Sequence, residues 1–137
     1  MKSALFTLSL ALALAPFAGA VTLSPSDNIQ EELQEALILA RPGDTIELAA
    51  GTYHFTSSLS LDVDNVTVKG AGLDETVLSF KNQNAGSEGL LVTSSGVTLR
   101  DFAIEDSVGD AIKVKGADGI SFINVRTVWT GGQQSNN

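Results

Sequence analysis

The sequence predicts an all-β solenoid, a parallel β-helix of about four coils with an α-helix capping its N-terminal end, and three observations predict it. Ser95-Gly96-Val97-Thr98-Leu99-Arg100-Asp101-Phe102 returns about 23 residues later as Asp118-Gly119-Ile120-Ser121-Phe122-Ile123-Asn124-Val125, with apolar, hydroxyl and Asp/Asn positions in step. Self-similarity at a fixed period of roughly 20 to 50 residues marks a repeat architecture. Beyond Asp44 the apolar residues recur at period 2 in short runs divided by Gly, Asp, Asn and Ser, the pattern of short strands. Gly70, Asp101 and Asn124 follow equivalent strands, and these residue types tolerate left-handed backbone, so each coil is expected to bend there.

The elements follow in order. Met1-Lys2-Ser3 is a basic start, Ala4 to Ala15 is an apolar run, and Ala18-Gly19-Ala20 has the small-x-small form of a cleavage site. Residues 1–20 therefore read as a secretory signal peptide cut before Val21, leaving residues 21–137 as one periplasmic or secreted domain. A membrane anchor needs about 20 apolar residues, and Pro16 breaks this run first, so no membrane span is expected in the mature chain. A helix is expected over 27–40. Asp27 and Gln30 have capping-box spacing, Glu31, Glu32 and Glu35 favour the helix start, and Ile29, Leu33, Ala36, Leu37 and Ala40 form one apolar face. Arg41-Pro42-Gly43 ends it.

Strands are expected at Thr45–Leu48, Leu59–Val63, Val66–Gly70, Val77–Phe80, Leu90–Thr93, Val97–Arg100, Phe102–Ile104, Ile112–Lys115 and Ile120–Val125. Aligning them puts Ile46, Val66, Val97 and Ile120 in one inward column. Glu47, Thr67, Thr98 and Ser121 come next, then Leu48, Val68, Leu99 and Phe122, with a loop around Ala71 to Thr76 extruded from one coil. A β-sandwich has no reason to keep such columns in step, and the consensus of a leucine-rich repeat is missing.

With Pro42-Gly43-Asp44-Thr45-Ile46-Glu47-Leu48, Gly51-Thr52-Tyr53, Val68-Lys69-Gly70-Ala71-Gly72 and Gly96-Val97-Thr98-Leu99-Arg100-Asp101-Phe102 behind a leader and a capping helix, the chain resembles a known family. It is similar to the right-handed parallel β-helix proteins of the pectate-lyase-like superfamily, above all the exported bacterial branch related to mannuronan epimerases and periplasmic carbohydrate-binding β-helix proteins. The resemblance implies right-handed coils and a polysaccharide or uronate partner held along one parallel sheet. It also implies more coils than this chain shows, so that the chain reads as an N-terminal part whose open C-terminal end is covered by missing coils or by another subunit. Catalysis in epimerase-like relatives rests on an Asp-Pro-His-Asp run, which is absent here, where the only His is His54 and the prolines are Pro16, Pro25 and Pro42. No family catalytic residue carries over. The leading reading is binding or modification of an acidic polysaccharide. The alternatives are a lyase or epimerase with its active site beyond residue 137, and a structural or adhesive solenoid without a small substrate.

Composition narrows the chemistry. With 16 Asp and Glu against 8 Lys and Arg, a formal net charge of -8 opposes nucleic-acid binding through the phosphate backbone. The absence of Cys removes disulfides, zinc thiolates and thiol nucleophiles. The candidate substrate-binding residues are cations. Lys69 and Arg100 share an outward column in neighbouring coils, and Lys113 and Lys115 share one face of a strand, where like charges side by side call for an anionic partner such as a uronate chain. Asp62, Glu105, Asp106 and Asp110 can equally screen them on a solvated surface. No cofactor is required. Calcium needs six to eight oxygen ligands, and only the Glu105, Asp106 and Asp110 loop is a weak candidate, because Asp62 falls in a column with Val92 and Lys115. His54 lacks an orienting partner, and Tyr53 and Trp129 are the aromatics with polar handles; Trp129 is expected to cover the last coil.

Overall fold

The computed structural model describes residues 19–132; apart from Gly19 and Ala20, the expected leader at residues 1–20 lies outside the described residues. The elements are β1 (Ala20–Leu23), α1 (Ile29–Leu39), β2 (Thr45–Leu48), β3 (Gly51–His54), β4 (Ser57–Leu61), β5 (Thr67–Lys69), β6 (Thr76–Ser79), β7 (Ala85–Val92), β8 (Thr98–Glu105), β9 (Ile112–Val114) and β10 (Ser121–Val128). Every strand pairing among them is parallel. Parallel neighbours need a crossover, and here the crossover is a circuit through the other strands. One sheet runs β1-β2-β5-β8-β6-β3 with β10 on β8, and a second runs β4-β7-β9. β8 pairs with β5 through Thr98–Arg100 and with β6 through Ala103–Glu105, so the larger sheet curls around the corner at Asp101. The result is a parallel β-helix wound about one core.

The sequence alignment slips by two residues at its first step. Ile46 pairs with Val68, not Val66, and Glu47 pairs with Lys69 rather than standing beside Thr67. The later steps hold, with Val68 beside Leu99 and Leu99 beside Phe122. A two-residue slip leaves every side chain on its proper face, so an alternation pattern cannot detect it. The bend column is also corrected in part. Asp101 and Asn124 have φ of 62° and 50°, but Gly70 is not left-handed. It is required because the next turn passes too close: an added Cβ would lie 2.2 Å from the Asp101 carbonyl oxygen. A further corner, unrecognised in the sequence, stacks Gly43, Asn65, Gly96 and Gly119, all with positive φ. Two strands were missed as well, β1, which reads as a lead-in, and β3, whose Thr52-Tyr53-His54 reads as a connection.

The core is a stack of inward side chains from both sheets, including Leu48, Leu61, Val68, Leu78, Leu99 and Ile104, with Phe55 and Phe80 stacked at 5.2 Å between ring centroids. Buried polar groups within it are paired. The Tyr53 hydroxyl is shared between the Ala49 and Leu23 carbonyls at 2.7 and 3.0 Å, and burial pushes the phenol up to about 12. Gln83 joins successive turns, donating to the Glu88 carbonyl at 2.9 Å and accepting from the Val108 N–H at 3.0 Å.

α1 covers the N-terminal end with Ile29, Leu33 and Leu37 buried. The expected capping box does not form. Asn28 is the N-cap without a side-chain hydrogen bond, and Gln30 instead accepts from the Thr56 and Ser57 N–H groups at 3.0 and 3.1 Å. Gln34 both accepts from Ser60 N–H and donates to its carbonyl, at 2.9 and 3.0 Å. Two glutamines thereby satisfy the outer edge of β4, which would otherwise offer unpaired backbone to another chain.

Candidate functional site

The corrected register builds an outward row on the larger sheet. Thr22, Glu47, Lys69, Arg100 and Ile123 stand one above another in β1, β2, β5, β8 and β10. Parallel strands are about 4.8 Å apart, so an extended polymer laid along the helix axis meets a new side chain at each turn. Thr22 Oγ1 donates to Glu47 Oε2 at 3.3 Å. Arg100 Nε donates to Asp101 Oδ2 at 2.6 Å, and Asn124 Nδ2 donates to Asp101 Oδ1 at 3.2 Å. These bonds, the one from Arg100 first, hold the Asp101 carboxyl below the usual carboxylate range. Lys69 is exposed and makes no side-chain hydrogen bond or ion pair with the described residues, its charge reaching Asp101 only through space. A cleft of about 440 Å³ lies over the row, lined among others by Glu47, Lys69, Gly70, Ala71 and Asp101. Its lining carries one free ammonium, that of Lys69, and two carboxylates, Glu47 and Asp101. Arg100 lies outside the lining and is tied to it through its bond to Asp101.

The second cation pair lies on the other sheet. Lys113 on β9 stands beside Leu91 of β7, and its Nζ lies 3.4 Å from both Glu88 Oε1 and Asp110 Oδ2. Hydrogen bonds that it donates to Asp110 and then Glu88 raise its pKa, so this lysine already has its anionic partners. Lys115, just past β9, is exposed and makes no side-chain bond with the described residues. The four cations therefore form two pairs on two sheets rather than one site. Glu47 and Glu88 are the members that sequence reasoning missed. Glu47 was hidden by the register slip, and Glu88 lies in β7, which begins five residues before its expected start at Leu90.

The acidic loop does not converge on a cation. Asp106 is turned inward, where its carboxylate accepts from Thr130 N–H at 2.5 Å, Thr130 Oγ1 at 2.6 Å and Gly132 N–H at 3.2 Å. Asp110 pairs with Lys113, and Asp62 stands beside Thr93, whose hydroxyl donates to it at 2.7 Å, because Leu61 is the residue that pairs with Val92. Among the described residues no three His, Asp or Glu side chains gather closely enough to hold a metal ion. His54 is exposed on β3 beside Ser79. Trp129 donates its indole N–H to the Ser107 carbonyl at 2.6 Å, which ties it to the preceding turn. No helix among the described residues is long and apolar enough to cross a membrane.

No protein-family model matches the chain, and no curated protein matches it. Among solved structures it is similar to an arginine-to-alanine mutant of AlyGC, an alginate lyase of family PL6, with a TM-score of 0.60 and 18% identity over 82% of this chain and 19% of that one. The chain thus spans about a fifth of that lyase's length. At this identity the likeness is one of architecture, and it agrees with the all-parallel, curled pairing found here: the protein has the parallel β-helix fold on which that polysaccharide lyase is built.

Proposed function

We propose that this is an exported carbohydrate-associated β-helix protein that holds an acidic polysaccharide along the Lys69 and Arg100 row. The observation that carries the reading is that row itself: two cations from adjacent turns, one of them unpaired, beside a cleft on a fold shared with an alginate lyase. With a net charge of -8 the protein as a whole repels a polyanion, so binding must come from a local concentration of positive charge. No metal or other cofactor enters this reading. Exposed charges act over roughly 8 to 10 Å at ordinary ionic strength, which makes attachment salt-sensitive.

Retention on immobilised alginate or pectate tests it. The wild-type chain is expected to be retarded, and Lys69→Ala with Arg100→Ala to weaken binding about tenfold, equivalent to about 1.4 kcal/mol. Lys113→Ala with Lys115→Ala is expected to cost less, because Lys113 is already neutralised by two carboxylates. Passage of the wild type without retardation would refute the reading. A second reading, a lyase or epimerase whose catalytic residues lie outside this chain, is favoured by the nature of the structural neighbour and by the 19% of it that the chain spans. Release of unsaturated uronates from alginate by the full-length protein would separate it from binding alone. Export rests on residues 1–20 and has its own check: N-terminal sequencing of protein from the periplasm or medium is expected to begin at Val21, and a start at Met1 rejects it.

A further inference from the structure

The outward row on the larger sheet is not uniformly cationic. From β1 to β10 it presents the Thr22 hydroxyl, the Glu47 carboxylate, the Lys69 ammonium, the Arg100 guanidinium and the Ile123 side chain. Successive members stand one strand apart, about 4.8 Å, which is close to the length of one glycosyl unit in an extended polysaccharide. Each unit of a chain laid along the helix axis therefore meets one member of the row. Only Lys69 and Arg100 attract a carboxylate.

The two carboxylates of the cleft differ in how far their charge is already used. Asp101 accepts from Arg100 Nε at 2.6 Å and from Asn124 Nδ2 at 3.2 Å, so its charge is balanced within the protein. Glu47 accepts only from the Thr22 hydroxyl, at 3.3 Å, and among the described residues no cation lies within ion-pair distance of it. An ionised carboxylate is an acceptor only. It takes a hydrogen bond from a sugar hydroxyl and repels a second carboxylate. On the far side of the two cations, Ile123 is 40% exposed and has no polar side-chain atom to offer a charged unit.

We propose that Glu47 is a specificity-determining residue, and that the row selects a partly esterified polyuronate, in which two neighbouring acids are bordered by uncharged units, over an unbroken polyanion. The inference rests on the Lys69 and Arg100 row being a polysaccharide site, and it adds the class of chain that the site selects. The paired acids lie against Lys69 and Arg100. The unit over Glu47 is esterified and donates a hydroxyl to its carboxylate, and the unit over Ile123 packs its ester group on the apolar side chain. Such a ligand brings negative charge only where the row is positive, which suits a protein whose formal net charge is -8.

The test compares affinity for polygalacturonate with affinity for the same polymer after partial methyl esterification, since the two differ only at their carboxyl groups. The wild type is expected to bind the partly esterified polymer more tightly, a comparison that needs no variant. Glu47→Gln keeps the shape of the side chain and an acceptor for Thr22. It is expected to raise affinity for the unesterified polymer about fourfold, the repulsion between two unit charges a strand apart in water, and to leave affinity for the esterified one nearly unchanged. Glu31→Gln removes the same charge from α1, away from the row, and is expected to leave the ratio of the two affinities as in wild type. The proposal is overturned by a wild type that prefers the unesterified polymer, by an unchanged ratio in Glu47→Gln, or by an equal shift in Glu31→Gln. Each of these leaves polysaccharide binding itself in place. Absence of wild-type binding to either polymer overturns both the proposal and the reading on which it rests.

Discussion

Gly70→Ala is expected to destabilise the protein by about 3 kcal/mol, at the upper end of what overpacking a close contact costs. The added methyl would lie 2.2 Å from the Asp101 carbonyl oxygen, 2.9 Å from Thr76 Cβ and 3.0 Å from Phe102 Cβ. None of these atoms is the end of a flexible side chain, so relief requires moving backbone. That backbone is pinned. Gly70 N–H donates to Arg100 O and Gly72 N–H to Asp101 O, both at 2.9 Å, and the buried Thr76 hydroxyl accepts from Ala71 N–H at 2.9 Å. A shift at Gly70 therefore also moves Arg100 and Asp101, and with them the candidate cleft. Urea denaturation reads the stability loss, and a parallel loss of polysaccharide retention in the folded variant is expected. A midpoint within error of wild type would show that the two turns are not held as closely as this.

The winding of the chain was legible because it is written in residues that each turn repeats: inward aliphatics such as Val68 and Leu99, and the corner residues Asp101 and Asn124. Register between the first two turns was not, because Ile46 matches Val66 and Val68 equally well by alternation. The information that settles it lies in the turn residues. Gly43, Asn65, Gly96 and Gly119 all have positive φ, and aligning Gly43 with Asn65 brings Ile46 to Val68 and Glu47 to Lys69. The candidate site was legible as residues but not as a constellation. Lys69 and Arg100 do face out together, yet Glu47 beside them follows only from the corrected register. The pairing of Lys113 with Glu88 depends on a strand whose first half, Ala85-Gly86-Ser87-Glu88, has no apolar alternation to announce it. β3 escaped notice for a related reason, since Gly51-Thr52-Tyr53-His54 buries just Tyr53. The glutamines of α1 were invisible as edge caps because their partners are backbone atoms, which carry no sequence signature.

Asp106 gives the other large effect, and one that depends on pH. It sits buried at a left-handed corner with φ of 60°, on a loop whose three carboxylates look from the sequence like a possible cation site. Burial by itself raises its pKa, but the hydrogen bonds from the Thr130 hydroxyl, Thr130 N–H and Gly132 N–H outweigh it and hold the carboxyl below its usual value. A carboxylate with a lowered pKa in the folded state adds stability above its unfolded value of about 3.9, and that contribution is lost as the pH falls through the folded value. Hydrogen bonds to a charged acceptor contribute about 1.5 to 3 kcal/mol each, though Thr130 and Gly132 recover part of this from water once freed. Asp106→Ala, which also places a Cβ-bearing residue without a local hydrogen bond at the left-handed corner, is expected to cost about 3 kcal/mol at pH 7. Asp106→Asn keeps the shape and tolerates the corner, but sets an amide N–H against donors and is expected to cost about 2 kcal/mol. Lowering the pH from 7 to about 3 should narrow the gap between wild type and the Asn variant, because below about 3.9 the unfolded wild type takes up a proton that the folded carboxylate resists, which costs the wild type part of its advantage. Urea midpoints for both proteins at the two pH values check this, and a gap that stays constant or widens in acid would mean that the ionised carboxylate is not what fastens residues 129–132 to the preceding turn.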